Sequence, residues 1–327
     1  MTRALALISG GLDSILASKL IKDQGIEVIG ICFKSHFFGP SNAIRMAKQI
    51  DLPLEIIDFS EEHFEMTKAP KHGHGKNMNP CIDCHAMMMR YAGDLLQKYN
   101  ADFIITGEVL NQRPMSQNKA SLNIVKKESG YADKILRPLC AKALPPTEME
   151  LNGLVDREKL LDITGRSRKV QMKLAEEWGI KDYPSPAGGC KLTEPGFAMR
   201  LRELIQHKEE PEQRDIDLLR IGRHFRVSSG AKIISTRTGE ETEEIKKYLK
   251  SKDIGFLVKD FNGSLVVIIG EASEIDIEFA AKVAGRYSKG KDKDKLKVIY
   301  GNYGEAYDKS IEVKPASEDE LKEFMIS

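Results

Sequence analysis

The chain has no surplus of charge, no long apolar run and few cysteines. Fifty Lys and Arg stand against 49 Asp and Glu in 327 residues, a formal charge of +1. No global polycation draws in nucleic acid, so any RNA contact must come from local patches. The apolar start around Ala4–Ile8 stops at Gly10-Gly11, too short for the core of a secretory signal. No other run approaches the 18 or so residues of a membrane span. Five cysteines in a chain of this length do not make a secreted disulfide scaffold. Internal repeats and low-complexity tracts are also missing. The expectation is a cytoplasmic chain away from membranes, of about two domains at roughly 150 residues each. Its 41% apolar and 7% aromatic content suffices for ordinary cores and is too high for a disordered chain.

Over the first two-thirds, short apolar runs alternate with helical patterns. Strands are expected at 4–8, 26–33, 54–59, 102–106 and 134–140, and helices at 14–24, 41–50 and 80–98. Near-continuous Val, Ile and Leu in the strands points to a parallel sheet covered on both faces. A basic amphipathic helix is expected at 164–178, and 207–215, rich in Glu and holding Pro211, reads as a linker. Beyond it, strands at 232–236, 254–258 and 265–269 with helices at 242–249 and 277–285 make a small α+β domain. The expected domains are 1–206 and 216–327.

Ser9-Gly10-Gly11-Leu12-Asp13-Ser14 lies between the first strand and the first helix. A parallel α/β sheet binds phosphates there, outside the carboxyl end of a strand. The glycines let backbone N–H groups approach an anion, the helix N-terminus adds its dipole, and Ser9 and Ser14 add hydroxyls. Asp13 suits a Mg²⁺ contact or a cap on the helix. The loop has no Lys after the glycines, so it is not a Walker loop, and it lacks the G-x-G-x-x-G spacing of a dinucleotide site. It closely resembles the S-G-G-x-D-S loop of the PP-loop ATP pyrophosphatases, of the adenine nucleotide alpha hydrolase-like fold. That resemblance implies an α/β domain whose residues Ser9 to Ser14 hold ATP, with Asp13 catalytic. It also places Phe33 beside the adenine and Gly107 against the nucleotide.

Cys81 and Cys84 follow Asn79-Pro80, and Cys190 follows Gly188-Gly189. Pro80 suits a helix start, which sets the two thiols at i and i+3 on one face. A helix N-terminus lowers a thiol's pKa and favours the thiolate. The residues themselves leave three readings open: a [4Fe–4S] cluster on Cys81, Cys84 and Cys190 with one iron open, a persulfide passed between Cys84 and Cys190, or Zn²⁺ with His85, His72 or His74 as fourth ligand. The N-P-C-x-x-C segment resembles the N-P-x-x-x-C of tRNA 2-thiouridylases, and cysteine at position 81 makes the set similar to the three-cysteine, cluster-dependent tRNA thiolation enzymes. By that resemblance the cluster comes first and Cys84 and Cys190 are catalytic. Cys32 and Cys140 fall in or beside apolar strands and read as core thiols.

The stretch Thr106–Gln117 turns polar right after a strand. It resembles the G-E-x-L-x-Q-x-x-S-Q stretch of tRNA 4-thiouridine synthetases, which makes Gln112, Ser116 and Gln117 contacts to the base. Gly165-Arg166-Ser167-Arg168-Lys169 opens the basic helix, and Arg166 and Arg168 suit a phosphate clamp. No RNA-binding segment of that family stands ahead of the loop, so the grip on RNA is expected from the C-terminal domain. There, Gly222-Arg223-His224-Phe225-Arg226 and Ala280–Lys289 look like the RNA-binding domain of the NFACT proteins. Lys282 to Lys297 carries seven cations against Asp292 and Asp294, a patch suited to phosphates.

Together these resemblances imply an ATP-dependent tRNA uridine thiolation enzyme that adenylates a base carbonyl before sulfur attacks. Its product is 4-thiouridine ahead of 2-thiouridine. Sulfide, or a persulfide carrier such as a cysteine desulfurase, supplies the sulfur. A homodimer is compatible with the sequence, which does not set the oligomeric state. The rival reading is a PP-loop enzyme that adenylates or amidates a small molecule, which has no need of three cysteines.

Overall fold

The computed structural model describes residues 2–185 and 189–326, and their contacts divide the chain into two compact units, 1–193 and 194–327. The first unit begins β1 (Arg3–Leu7), α1 (Leu12–Lys22), β2 (Glu27–Lys34), α2 (Ser41–Lys48), β3 (Leu54–Asp58) and α3 (Ser60–Lys68). It continues α4 (Cys81–Asp94), β4 (Phe103–Thr106), α5 (Lys119–Glu128), β5 (Ile135–Leu136), α6 (Glu148–Leu151) and α7 (Lys169–Glu177). The strands form one parallel sheet in the order β3-β2-β1-β4-β5.

Alternation along β1 explains why both faces are covered. Ala4 and Ala6 pack with Leu12, Ile15 and Leu16 of α1, while Leu5 packs on the other face with Ile31, Phe33 and Phe59. Each fully buried Leu or Ile contributes about 1.5–3 kcal/mol. The strand order reverses direction at β1. Chain leaving β1 goes to one side and chain leaving β4 to the other, so a crevice opens beyond their carboxyl ends. Leu7 pairs with Thr106, which brings the loop after β1 beside the loop after β4.

The second unit comprises α8 (Pro195–His207), α9 (Gln213–Leu218), β6 (Arg223–Arg226), β7 (Lys232–Ser235), α10 (Gly239–Lys246) and β8 (Ile254–Val258). It ends with β9 (Val266–Ile269), α11 (Glu274–Arg286), β10 (Leu296–Asn302), β11 (Lys309–Val313), α12 (Glu318–Phe324) and β12 (Met325–Ile326). Its strands make an antiparallel sheet, β11-β10-β8-β9-β7-β6-β12, on which α11 lays Phe279, Ala280, Val283 and Ala284. Among the described residues, no helix is long and apolar enough to cross a membrane.

Four expectations change. The strand foreseen over 134–140 is only Ile135–Leu136, because Pro138 lacks the N–H a ladder needs and opens a 3₁₀ turn. The helix foreseen from 164 starts at Lys169, since Gly165 takes a left-handed φ of 84°. The linker expected at 207–215 is shorter, the connection 208–212 between the end of α8 and the start of α9, whose cap is a reciprocal Glu212–Asp215 pair. Helix α8 is also part of the second unit rather than the first. Glu203 on it accepts from Arg226 Nε at 2.5 Å and Lys232 Nζ at 2.7 Å, all three side chains being under one-fifth exposed. Burial pulls the Lys232 ammonium down to about 8 despite the carboxylate beside it.

Removing the carboxylate while both cations stay enclosed should be costly. Glu203→Gln is expected to destabilise the second unit by roughly 2–4 kcal/mol, read as a lower urea midpoint for its unfolding.

Candidate functional site

The glycine-rich loop is built by backbone constraint. Gly10 takes φ 79°, and a Cβ there would stand 2.6 Å from the Ala43 nitrogen. Gly11, extended, precedes α1 with no side-chain cap, so the first N–H groups of that helix face the loop. Ser14 Oγ donates to the Gly11 carbonyl at 2.9 Å, and the Gly11 N–H donates to Ser9 Oγ at 3.3 Å. The Leu12 side chain is in the core, so this residue offers its backbone alone. Asp13 makes no cap. One of its oxygens, Oδ2, accepts from Gln112 Nε2 at 2.6 Å, while Oδ1 is buried without a partner.

Gly107 lies against this loop: a Cβ on it would stand 2.5 Å from the Ser14 nitrogen and 2.6 Å from the Asp13 carbonyl carbon. The 165–169 segment joins the same place. Thr164 bridges to Leu110, and the Gly165 N–H donates to the Leu110 carbonyl at 2.8 Å. Three stretches singled out in the sequence, 9–14, 107–117 and 165–169, are therefore neighbours.

The cysteines form the other half. Helix α4 begins at Cys81 after Pro80, with Cys84 one turn on. Residues 191–193 are pinned nearby: the Lys191 N–H donates to the Phe37 carbonyl at 3.0 Å, and the Met78 N–H to the Leu192 carbonyl at 3.3 Å. That holds Cys190 within electrostatic reach of Cys84. The expected low thiol pKa does not hold at Cys84. Burial pushes the Cys84 thiol well above its ordinary range, and Cys190, Cys81 and Asp83 add to the effect, outweighing the helix dipole. His63 Nε2 sits 3.2 Å from Cys84 Sγ. Burial, aided by His36, holds that imidazole down to about 4, so it is neutral at neutral pH. It is wedged against Phe59 and Phe38 at ring distances of 4.9 and 5.4 Å.

Glu108 connects the halves. Its Oε1 accepts from His85 Nδ1 at 2.9 Å and its Oε2 from Arg137 Nε at 2.8 Å. Burial alone would raise this carboxyl, but Arg137 and His85 override it and hold it at about 2. Glu108 follows Gly107 of the loop, and His85 follows Cys84.

Other expected contacts fall elsewhere. Phe33 turns its ring into the core, 5.0 Å from Phe59 and 6.0 Å from Tyr91, leaving only backbone for a nucleotide. Ser116 and Gln117 are buried and shape their own loop, in which the Gln117 N–H donates to the Arg113 carbonyl and its carbonyl accepts from Asn111. Gln112 is tied to Asp13. Arg166 is exposed, whereas Arg168 is half-buried with Nε unpartnered. The 186–188 segment ahead of Cys190 lies outside the described residues. Cys32 and Cys140 are core thiols, each raised to about 11 by burial. In the second unit the basic stretch thins out. Lys282 pairs with Glu278 and Glu320, and Arg286 with Glu318, while Lys289, Lys291, Lys293, Lys295 and Lys297 stay exposed, Lys295 beside Glu312 at 3.9 Å. His224 is buried against the Ile221 carbonyl, and Arg223 lies 4.3 Å over the Tyr287 ring.

Sequence reasoning missed His63, Glu108, Arg137 and Gln171. Gln171 carried a signal: it lies on the apolar face of its helix with Leu174, Ala175 and Trp178, and it is fully buried.

The two units match two different families. Residues 1–143 match the thiamine biosynthesis protein (ThiI) family, and residues 222–325 match the NFACT protein RNA binding domain. A tRNA-specific 2-thiouridylase of Petrotoga mobilis is 26% identical over 249 residues, 68% of this chain and 64% of that protein. Another, from Fusobacterium nucleatum, is 33% identical over 116 residues, 33% of this chain and 34% of that protein. The chain thus spans from a third to just under two-thirds of these relatives. A solved complex of a 4-thiouridine synthetase with RNA and ATP covers 67% of this chain and 51% of that one at 18% identity, with a TM-score of 0.40. The fold of the ThiI-like unit rests on its own strand order and register and not on that likeness.

Two outcomes follow for the ThiI-like unit. A carboxyl held low stabilises the fold above its unfolded value near 4.3 and loses that contribution as pH falls toward about 2. Glu108→Gln should therefore cost roughly 3–5 kcal/mol at pH 7, and the gap to the parent protein in urea unfolding should close between pH 4 and pH 2. In metal-free protein, Cys84 should resist iodoacetamide at pH 7.5 and gain reactivity only as pH climbs past the usual thiol range, measured by peptide mass mapping.

Proposed function

We propose that this chain is an ATP-dependent tRNA uridine sulfurtransferase. The observation that carries the reading is the Glu108 link, which sets a glycine-rich nucleotide loop and a three-cysteine group in one site. The ThiI and NFACT matches and the thiouridylase relatives support it.

In this reading the loop of Ser9 to Ser14, with Gly107 against it, holds ATP. A uridine carbonyl oxygen attacks the α-phosphorus, the bond to the β-phosphate breaks, and pyrophosphate leaves with the electron pair. Backbone N–H groups at the start of α1 stabilise that leaving anion. The adenylated carbon then takes sulfur and expels AMP. Asp13 Oδ1, buried and unpartnered, fits a Mg²⁺ ligand. Arg166 and Arg168 supply cations for RNA phosphates, with Lys289, Lys291 and Lys293 of the NFACT-like unit.

The thiols fit a [4Fe–4S] cluster in donor chemistry. Charge on Cys84 is opposed by Cys190 and Cys81, and cationic iron would relieve that opposition. When bound, the cluster supplies an open iron for sulfide. Among the described residues no three His, Cys, Asp or Glu side chains converge as a metal site, so the cluster stands here on donor chemistry and on the resemblance. In a metal-free version Cys84 carries a persulfide and Cys190 releases it. The neutral His63 beside Cys84 keeps charge out of that enclosure in either case.

The deciding experiment incubates unmodified tRNA anaerobically with iron-reconstituted protein, ATP, Mg²⁺ and sulfide, then analyses nucleosides. A thiolated uridine is expected, its chromatographic identity reporting C4 or C2. Asp13→Ala should abolish both tRNA-stimulated pyrophosphate release and thiolation. Serine at Cys81, Cys84 or Cys190 should abolish thiolation and leave ATP binding intact. Protein that hydrolyses ATP and yields no thionucleoside would point instead to a small-molecule substrate.

A further inference from the structure

Three side chains from separate segments of the ThiI-like unit form one hydrogen-bonded line. Gln171 Nε2 donates to Gln112 Oε1 at 2.9 Å, and Gln112 Nε2 donates to Asp13 Oδ2 at 2.6 Å. The carboxylate sets the polarity of the whole line. It can only accept, so Gln112 must turn its NH₂ to Asp13 and its carbonyl to Gln171, which must answer with its own NH₂. Neither amide can flip without setting acceptor against acceptor.

Two acceptors are left over, Asp13 Oδ1 and Gln171 Oε1, both buried and without partners. A fully buried Gln on an apolar helix face with an orphaned carbonyl is worse for packing alone than a Met or Leu of similar size. Its position is nevertheless well fixed, because the Thr164–Leu110 bridge and the Gly165–Leu110 hydrogen bond tie the approach to α7 to the loop that carries Gln112. We infer that Gln171, acting through Gln112, is a positioning residue that commits Asp13 Oδ2 and so keeps Oδ1 open at the nucleotide loop for magnesium-bound ATP. The inference rests on the nucleotide reading given above.

The test measures ATP binding to the full chain by calorimetry across a magnesium series, with no turnover required. Gln171→Met removes one hydrogen bond of the line and Gln112→Met removes both, and each keeps volume. Each is expected to raise the Mg²⁺ concentration for half-maximal ATP binding about 3–10-fold, while affinity for ATP without Mg²⁺ stays within about twofold. Gln171→Glu presents only acceptors, forces Gln112 to turn its carbonyl on Asp13, and should shift the Mg²⁺ requirement further than Gln171→Met. A purely structural role predicts a different pattern: a lower melting temperature, with ATP affinity falling alike with and without Mg²⁺. Folded Met variants that match the parent in Mg²⁺ requirement overturn the relay. A parent chain that binds no ATP at all overturns the nucleotide reading and the relay with it.

Discussion

Glu108 carries a full charge where water is excluded, and Arg137 and His85 are what make that tolerable. A buried carboxylate without cations would protonate or be expelled, because desolvation of a charge outweighs ordinary packing gains. The pairing fixes more than itself. Arg137 follows β5, Glu108 follows β4, and His85 lies on α4, so three chain segments meet at one charge. Gly107 beside Glu108 is pressed against the start of α1, and Cys84 beside His85 faces His63. The glycine-rich loop and the cysteine helix share one charged reference point, which a loop-to-loop apolar contact would not supply.

The electrostatics on either side of this point are opposite in kind. The loop after β1 collects donors: helix N–H groups, hydroxyls and glycine backbone, with one orphaned carboxylate oxygen among them. The enclosure around Cys84 collects groups that resist charge, namely a thiol pushed up, an imidazole pushed down to about 4 and the rings of Phe38 and Phe59. An anionic leaving group is welcome on the first side and unwelcome on the second. In the proposed reaction, separation of this kind would keep pyrophosphate away from the sulfur and the sulfur neutral until something stabilises its charge.

What the sequence disclosed follows from how local each feature is. Ser9 to Ser14 and the Cys81/Cys84 pair are contiguous, and the parallel sheet announces itself through continuous apolar strands flanking them. Glu108–Arg137, His63–Cys84 and Gln112–Asp13 join residues 29, 21 and 99 positions apart, and no periodicity encodes such pairings. Two cations of the basic stretch give the same lesson with the sign reversed. Lys282 and Arg286 look uncompensated because the acids that neutralise them, Glu320 and Glu318, arrive from a helix more than thirty positions later. Likewise Ser116 and Gln117 read as base contacts by resemblance, yet their loop folds back and buries them.

The helix start at Cys81 shows why motif position alone misjudges reactivity. A helix dipole acting on a thiol is worth at most a kcal/mol or two, and it weakens once opposed by neighbours of the same prospective charge. Cys84 has Cys81, Asp83 and Cys190 as such neighbours, and burial acts in the same direction. Ionising Cys84 is therefore hard, and that thiol is poorly suited to standing as a free thiolate. It is well suited to chemistry in which the sulfur's charge is shared, with iron or with a second sulfur, before it reaches an activated carbon. The same crowding that defeats the simple thiolate thus selects among sulfur carriers.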